Sequence, residues 1–246
     1  MAIYAISDFH LSFGTDKPMD IFKGWSNYTE RLKENIESVV KQDDVIVIPG
    51  DISWALKLKD TIEDFKFIND LPGKKIIGKG NHDLWWESLT KMNRLMQENE
   101  FENISFLYNN CYEVDDIVIA GSRGWFFDDT ADKKIVLREA GRIENSLQQA
   151  TQIGKEIILF LHYPPIQKQA VCNEIMDVIK KFEVKKVYYG HIHSAGAVNA
   201  YEGEYDGIEF KCISCDILNF KPLLIKSWKS FKKIVAFLIY LWYNHR

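Results

Sequence analysis

Short apolar runs recur along the chain at residues 3–7, 45–48, 75–78, 117–120, 157–161 and 186–189, and each ends in a polar loop. Runs of this length rich in β-branched residues predict strands. Between them the apolar positions follow a period near 3.6: Tyr28, Leu32, Ile36, Val39 and Val40; then Val136, Ala140, Ile143, Leu147 and Ala150; then Val171, Ile175, Val178, Ile179 and Phe182. That period predicts helices with one buried face. Strand and helix in alternation indicate a layered α/β architecture. Residues 104–126 break the alternation, because the apolar stretches 106–108, 112–114 and 117–120 are separated only by Asn109-Asn110 and Asp115-Asp116. Both dipeptides read as hairpin turns, so the sheets are expected to be mixed.

The pattern changes again at residues 221–246, which contain six Lys or Arg and no acid. Trp228, Phe231, Val235, Leu238 and Trp242 recur at steps of three and four, and most of the lysines fall elsewhere on the turn. A basic amphipathic helix is the expectation. Its uncharged run, 234–243, is too short to span a bilayer, so the segment around 226–243 is expected to dock on protein, through self-association for example, or to lie on an anionic membrane. The division expected is a catalytic domain over 1–220 and a tail over 221–246.

Composition narrows the class. A chain of 246 residues, 46% hydrophobic and 27% charged, can bury one large core and is neither disordered nor a multi-span membrane protein. Four cysteines are too few for a disulfide scaffold, and a reducing cytoplasm is the expected setting. Cys212 and Cys215 form a C-x-x-C, but residues 208–213 read as a strand, and the pair is read as two buried thiols. The apolar start, residues 1–6, has no basic flank and is read as a buried strand, not a leader.

The candidate chemistry lies at the strand ends. Asp8-Phe9-His10 follows the first run, Gly50-Asp51 the second and Gly80-Asn81-His82-Asp83 the third; His162 and Gly190-His191-Ile192-His193 follow the fifth and sixth. Any one of these reads alone as a cap, a turn or a satisfied core histidine. Five in order are another matter, because loops at the carboxyl ends of strands in an α/β sheet converge on one crevice. Together they bring oxygen and nitrogen donors enough for two divalent ions. Trp54, Trp85, Trp86 and Trp125 lie in or beside these loops; their faces can hold a flat substrate or simply pack the sheet edge. Arg123, in a glycine turn, can bind a substrate phosphate as a bidentate donor or sit at the surface.

In that order the segments D-x-H, G-D, G-N-H-D, H and G-H-x-H resemble the signature of the calcineurin-like metallophosphoesterase superfamily, over residues 3 to about 220. The resemblance implies an α/β fold, a two-layer β-sandwich of mixed sheets flanked by helices, with two metals at one edge. Carried onto this chain, Asp8, His10 and His193 hold one metal, Asn81, His162 and His191 the other, and Asp51 bridges. His82 then contacts the phosphate or protonates the leaving oxygen, Asp83 orients it, and Asn81 and Arg123 are candidate substrate contacts. The implied reaction is hydrolysis of a phosphomonoester or phosphodiester by a metal-bridging water, without a covalent enzyme intermediate. Imidazole-rich ligation favours manganese, iron, zinc or cobalt over calcium or magnesium.

Trp54 stands where the family often has the second Asp of G-D-x-x-D. The strings typical of Ser/Thr phosphoprotein phosphatases are absent, and His82 stands where lipid A pathway pyrophosphatases have Arg. A lipid-linked pyrophosphatase recruited by the tail is one alternative, and a non-catalytic scaffold is another, although a scaffold would be expected to have lost ligands. Nucleic acid is not an expected partner: the formal charge is −4, residues 221–246 contribute +6, and 1–220 therefore carry −4 − 6 = −10, with no basic track.

Overall fold

The computed structural model describes residues 1–125 and 132–228. The first sheet contains β1 (Ala2–Ala5), β2 (Val45–Ile48), β3 (Lys74–Gly78) and β4 (Ile104–Leu107), all parallel. The second takes in β5 (Cys111–Val114), β6 (Ile117–Ser122), β7 (Glu156–Leu161), β10 (Lys186–Tyr189), β11 (Gly203–Tyr205) and β12 (Ile208–Cys212). Its order is β11-β12-β10-β7-β6-β5, parallel through the middle with an antiparallel strand at each edge. A two-stranded ribbon, β8 (Ile166–Gln167) with β9 (Ala170–Val171), lies outside both. The mixed sheets expected from the sequence are present, flanked by helices.

Alternation along each strand explains the layering. In β2, Val45 and Val47 face the other sheet, whereas Ile46 and Ile48 face α1 (Tyr28–Val39), α2 (Ile62–Asp70) and α3 (Leu89–Glu98). In β7, Ile158 and Phe160 face inward while Leu159 and Leu161 meet α4 (Lys133–Ile153) and α5 (Asn173–Lys181). Central strands buried on both faces need continuous apolar runs, and that is why the runs stood out. Among the described residues no helix is long and apolar enough to cross a membrane.

One short segment joins the sheets at the edge that matters. The Ile213 N–H donates to the Tyr189 carbonyl at 2.7 Å, Ser7 N–H to Ile213 at 2.8 Å, and Cys215 N–H to Ser7 at 3.0 Å. The carboxyl ends of β1 and β10 are thereby fixed side by side. Cys212 and Cys215 are free and buried, and the Cys215 thiol donates to the Asp8 carbonyl at 2.9 Å.

Two expectations are corrected. Asn109-Asn110 is not a hairpin turn: β4 pairs in parallel with β3 while β5 pairs with β6, so this dipeptide carries the chain from one sheet to the other. Asp115-Asp116 does close a hairpin. The segment after residue 220 also does not begin as a helix. Leu223–Ser227 forms β13, antiparallel to β1 at the edge of the first sheet, and helical spacing counted from Trp228 onward could not reveal a five-residue edge strand. Lys226 reaches Glu156 at 3.3 Å, and the Trp228 indole N–H donates to Asp116 at 2.7 Å. The rest of the expected helix, 229–246, lies outside the described residues.

A chain ending at Phe220 should therefore lose the partner of β1 and melt about 5 °C or more below a chain ending at Trp228, since 1 kcal/mol moves Tm by roughly 2–4 °C at this size. Calorimetry on the two checks this, and coincident transitions would show that β13 adds nothing to the fold.

Candidate metal centre

The loops after β1 and β2 run together. Asp8 N–H donates to the Gly50 carbonyl at 3.0 Å, His10 N–H to Asp51 at 2.9 Å and Leu11 N–H to Ile52 at 2.9 Å. Gly190 N–H donates to the His162 carbonyl at 3.1 Å, which ties the loop after β10 to that after β7. Two glycines are there for space. A Cβ on Gly80 would sit 2.0 Å from Asp51 Oδ1, and one on Gly190 would sit 2.4 Å from Asp8 Oδ2. Asp8, His10, Asp51 and His191 all take positive φ, between 48° and 70°. Left-handed backbone at four non-glycine residues of one site is strain that only the surrounding bonds can hold.

These loops bring all seven candidate ligands together. Asp8, His10 and His193 form one group and Asp51, His162 and His191 another, with the donor atoms of each group lying within 4.8 Å of one another. His193 Nε2 lies 3.2 Å from Asp8 Oδ1 and 3.3 Å from His10 Nε2. Asn81 Oδ1 lies 2.8 Å from both His162 Nε2 and His191 Nδ1. Asp51 Oδ2 stands between the groups, 3.7 Å from His10 Nε2 and 3.5 Å from His162 Nε2. Its other oxygen accepts the His82 N–H at 2.8 Å.

The protonation balance suits ligation at three of the four imidazoles. Burial pushes His10 down to about 3 and holds His162 and His191 below the ordinary histidine range, so these imidazoles offer lone pairs. His193 is pushed up to about 10: burial works against its charge, but Asp8 and Asp216 outweigh it. Burial, together with Asp8 and Asp83, raises Asp51, while the histidines His193, His162 and His10 overcome burial and lower Asp8. Carboxylate, amide and imidazole donors converging in two adjacent groups fit two divalent metal ions. The buried Nδ1 atoms of His10 and His162 have no hydrogen-bond partner, whereas their Nε2 atoms lie 3.3 Å from His193 Nε2 and 2.8 Å from Asn81 Oδ1.

A family model described as calcineurin-like phosphoesterase matches residues 1–195. The chain belongs to that family. No curated protein matches it. Among solved structures, the protein of unknown function AQ665 from Aquifex aeolicus is 17% identical with a TM-score of 0.50, over 91% of this chain and 95% of that one. TT1561 of Thermus thermophilus is 16% identical with a TM-score of 0.51, over 80% and 85%. The phosphopantetheinyl hydrolase PptH of Mycobacterium tuberculosis is 15% identical with a TM-score of 0.49, over 87% and 88%. At such identities the first two likenesses speak for the fold alone.

Three residues of this calcineurin-like phosphoesterase differ from expectation. Asp83 does not face the His82 imidazole. Its carboxylate, fully buried, accepts five N–H groups: the backbones of Gly80 (2.7 Å), Asp51 (2.8 Å), Ile52 (2.8 Å) and Ser53 (3.3 Å), and the Trp85 indole (3.0 Å). Asp83 thus clamps the loop after β2 to the loop after β3. Arg123 is turned away from the ligand groups: its guanidinium meets the buried Glu139 at 3.2 Å and lies over Trp125. Asp216 was missed. Its Oδ1 lies 2.8 Å from His193 Nδ1, and its Oδ2 accepts the Ser194 N–H at 2.8 Å, so it fixes the ring and the backbone beside it. The signal was available, for Asp216 closely follows a predicted strand, as the other candidates do.

The tryptophans divide. Trp85 and Trp86 pack with Phe65 and Phe106 in the core, and Trp125 leans on Tyr163. Trp54 alone of the four touches the centre, stacked on His10 at 5.0 Å. His82, 41% exposed, stands at the mouth with Nε2 4.0 Å from Asp51 Oδ2.

Asp216→Asn should weaken metal binding about 10- to 100-fold with the fold unchanged, as for other carboxylates that orient a ligand histidine. Competition with a chelating dye measures this, and unaltered affinity would remove Asp216 from the centre. Asp83→Asn leaves buried donors without acceptors and should lower stability by about 3 kcal/mol, well beyond the effect of His82→Ala. Denaturant melts compare the two, and equal losses would refute the clamp.

Proposed function

We propose that this chain is a dinuclear-metal-dependent phosphoesterase that hydrolyses a phosphomonoester or phosphodiester. The observation that carries the reading is Asp51 Oδ2, set between the two ligand groups within 3.7 Å of His10 and 3.5 Å of His162. Membership of the calcineurin-like phosphoesterase family supports it.

Asp8, His10 and His193 would hold one ion; Asn81, His162 and His191 would hold the other, with Asp51 shared. Divalent ions held there supply Lewis acidity, lowering the pKa of water and neutralising phosphoryl charge. The protein's own part is orientation and proton transfer. Asp216 fixes His193, and Asp83 fixes the backbone that presents Asp51. His82 is the partly exposed imidazole nearest Asp51; from there its Nε2 can donate a hydrogen bond to a seated phosphate or a proton to the leaving oxygen. Arg123, bound to Glu139, has no part in this reading.

His82→Ala should lose about 10²- to 10⁴-fold in kcat on p-nitrophenyl phosphate or its bis ester with manganese present, and Asp51→Asn should lose metal as well as turnover. Purified wild-type protein should carry about two equivalents of transition metal by elemental analysis, as two-metal sites do. Undiminished turnover in both variants would sink the mechanism.

A further inference from the structure

Trp54 and Lys17 have no place in the chemistry above, yet both are fixed to the centre. The Trp54 N–H donates to the Leu11 carbonyl at 2.9 Å. Its indole stacks on His10 and leans on His82, with ring centroids 4.2 Å apart. Over the same indole sits the Lys17 ammonium, 4.8 Å from the ring centroid. The two separations, 4.2 and 4.8 Å, put the ammonium no more than about 9 Å from the His82 ring. Lys17 belongs to the loop between β1 and α1, and Trp25 of that loop packs edge-on against His10 at 5.9 Å and His193 at 5.7 Å. The loop is thus anchored on both sides of the cation.

A free lysine spreads its charge over many rotamers, and a cation–π contact narrows that spread. Here the contact holds a positive charge at the mouth of a chain whose residues 1–220 carry −10. Lys17 is in neither ligand group. In the reading above, His82 stands beside a seated phosphate and donates to the leaving oxygen; the Trp54 ring joins His82 to the Lys17 ammonium, which in that reading puts the cation on the leaving-group side.

We propose that Lys17, held over Trp54, binds a second anionic group on the leaving-group side, so that the preferred substrates carry a further phosphate or carboxylate next to the scissile phosphate. This rests on the phosphoesterase reading, and a binding measurement separates the two. Manganese-loaded protein is titrated calorimetrically with methylphosphonate, methylenediphosphonate and phosphonoacetate, which offer no second anion, a second phosphonate and a carboxylate. Lys17→Met, which keeps the apolar stem on Trp54, should weaken the ligand carrying the matching second anion about tenfold, equivalent to about 1.4 kcal/mol, and leave methylphosphonate within about twofold of the wild type. Lys17→Arg should restore the tighter binding. Whichever of the two bifunctional ligands responds identifies the second anion as phosphate or carboxylate. In parallel, p-nitrophenyl phosphate turnover is followed in wild type and variant. A selective Lys17→Met effect without any turnover would uphold the subsite and defeat the phosphoesterase reading. Turnover with equal effects on all three ligands, or with none, would overturn the subsite and leave that reading standing.

Discussion

One buried carboxylate holds the centre in register. Asp83 collects five N–H groups from two loops that otherwise share no strand or helix, and each of those donors would be expensive to bury unpaired. Because two of the donors are the N–H groups of Asp51 and Ile52, the position of Asp51 follows from Asp83. Because Asp51 in turn accepts the His82 N–H, so does the position of His82. A second constraint completes the site from the other sheet: the bonds from Tyr189 through Ile213 to Ser7 set Asp8 against the loop carrying His191, whose N–H donates to Asp8 at 3.0 Å. Both constraints fix backbone N–H groups, and so decide where ligand atoms can be.

This division explains which parts of the molecule were legible in the sequence. Strands buried on both faces write themselves as apolar runs, and donors at their carboxyl ends are neighbours in the chain as well as in space. Asp8, His10, Asp51, Asn81, His162, His191 and His193 could therefore be found from local pattern and order. Asp83 was found for the wrong reason: its neighbour in sequence is His82, but three of its five donors are backbone groups 30 to 32 residues earlier. Asp216 contacts a ring 23 residues before it; its place just after a predicted strand marks it as a candidate but does not name that partner. The edge strand β13 was hidden for a related reason, since its burial is partial and a lysine sits within it.

The strain at the site has the same origin. Positive φ at Asp8, His10, Asp51 and His191 turns side chains inward from strands whose geometry would carry the chain away. Loops that must approach as closely as Gly80 does to Asp51 leave no room for a Cβ. Packing on three apolar layers is what makes such distortion tolerable, because the sheets beneath cannot relax without opening a core.

Charge follows from burial as well. Three of the four ligand imidazoles are kept neutral by desolvation, and the fourth takes its charge from Asp8 and Asp216. Apart from His193, the protein thus supplies negative and neutral donors to the centre, in a body that is already acidic. In the phosphoesterase reading, attraction for an anionic substrate would come from cations held there and from whatever lysine the fold can hold near them. Arg123 is not that group, since Glu139 has claimed it. Lys17, held over Trp54, is a cation that does not pair with Asp8 or Asp51, both of which are buried. A positive charge placed deeper would have paired with those carboxylates and displaced a metal; placed farther out, it would have been screened by salt within about 8–10 Å.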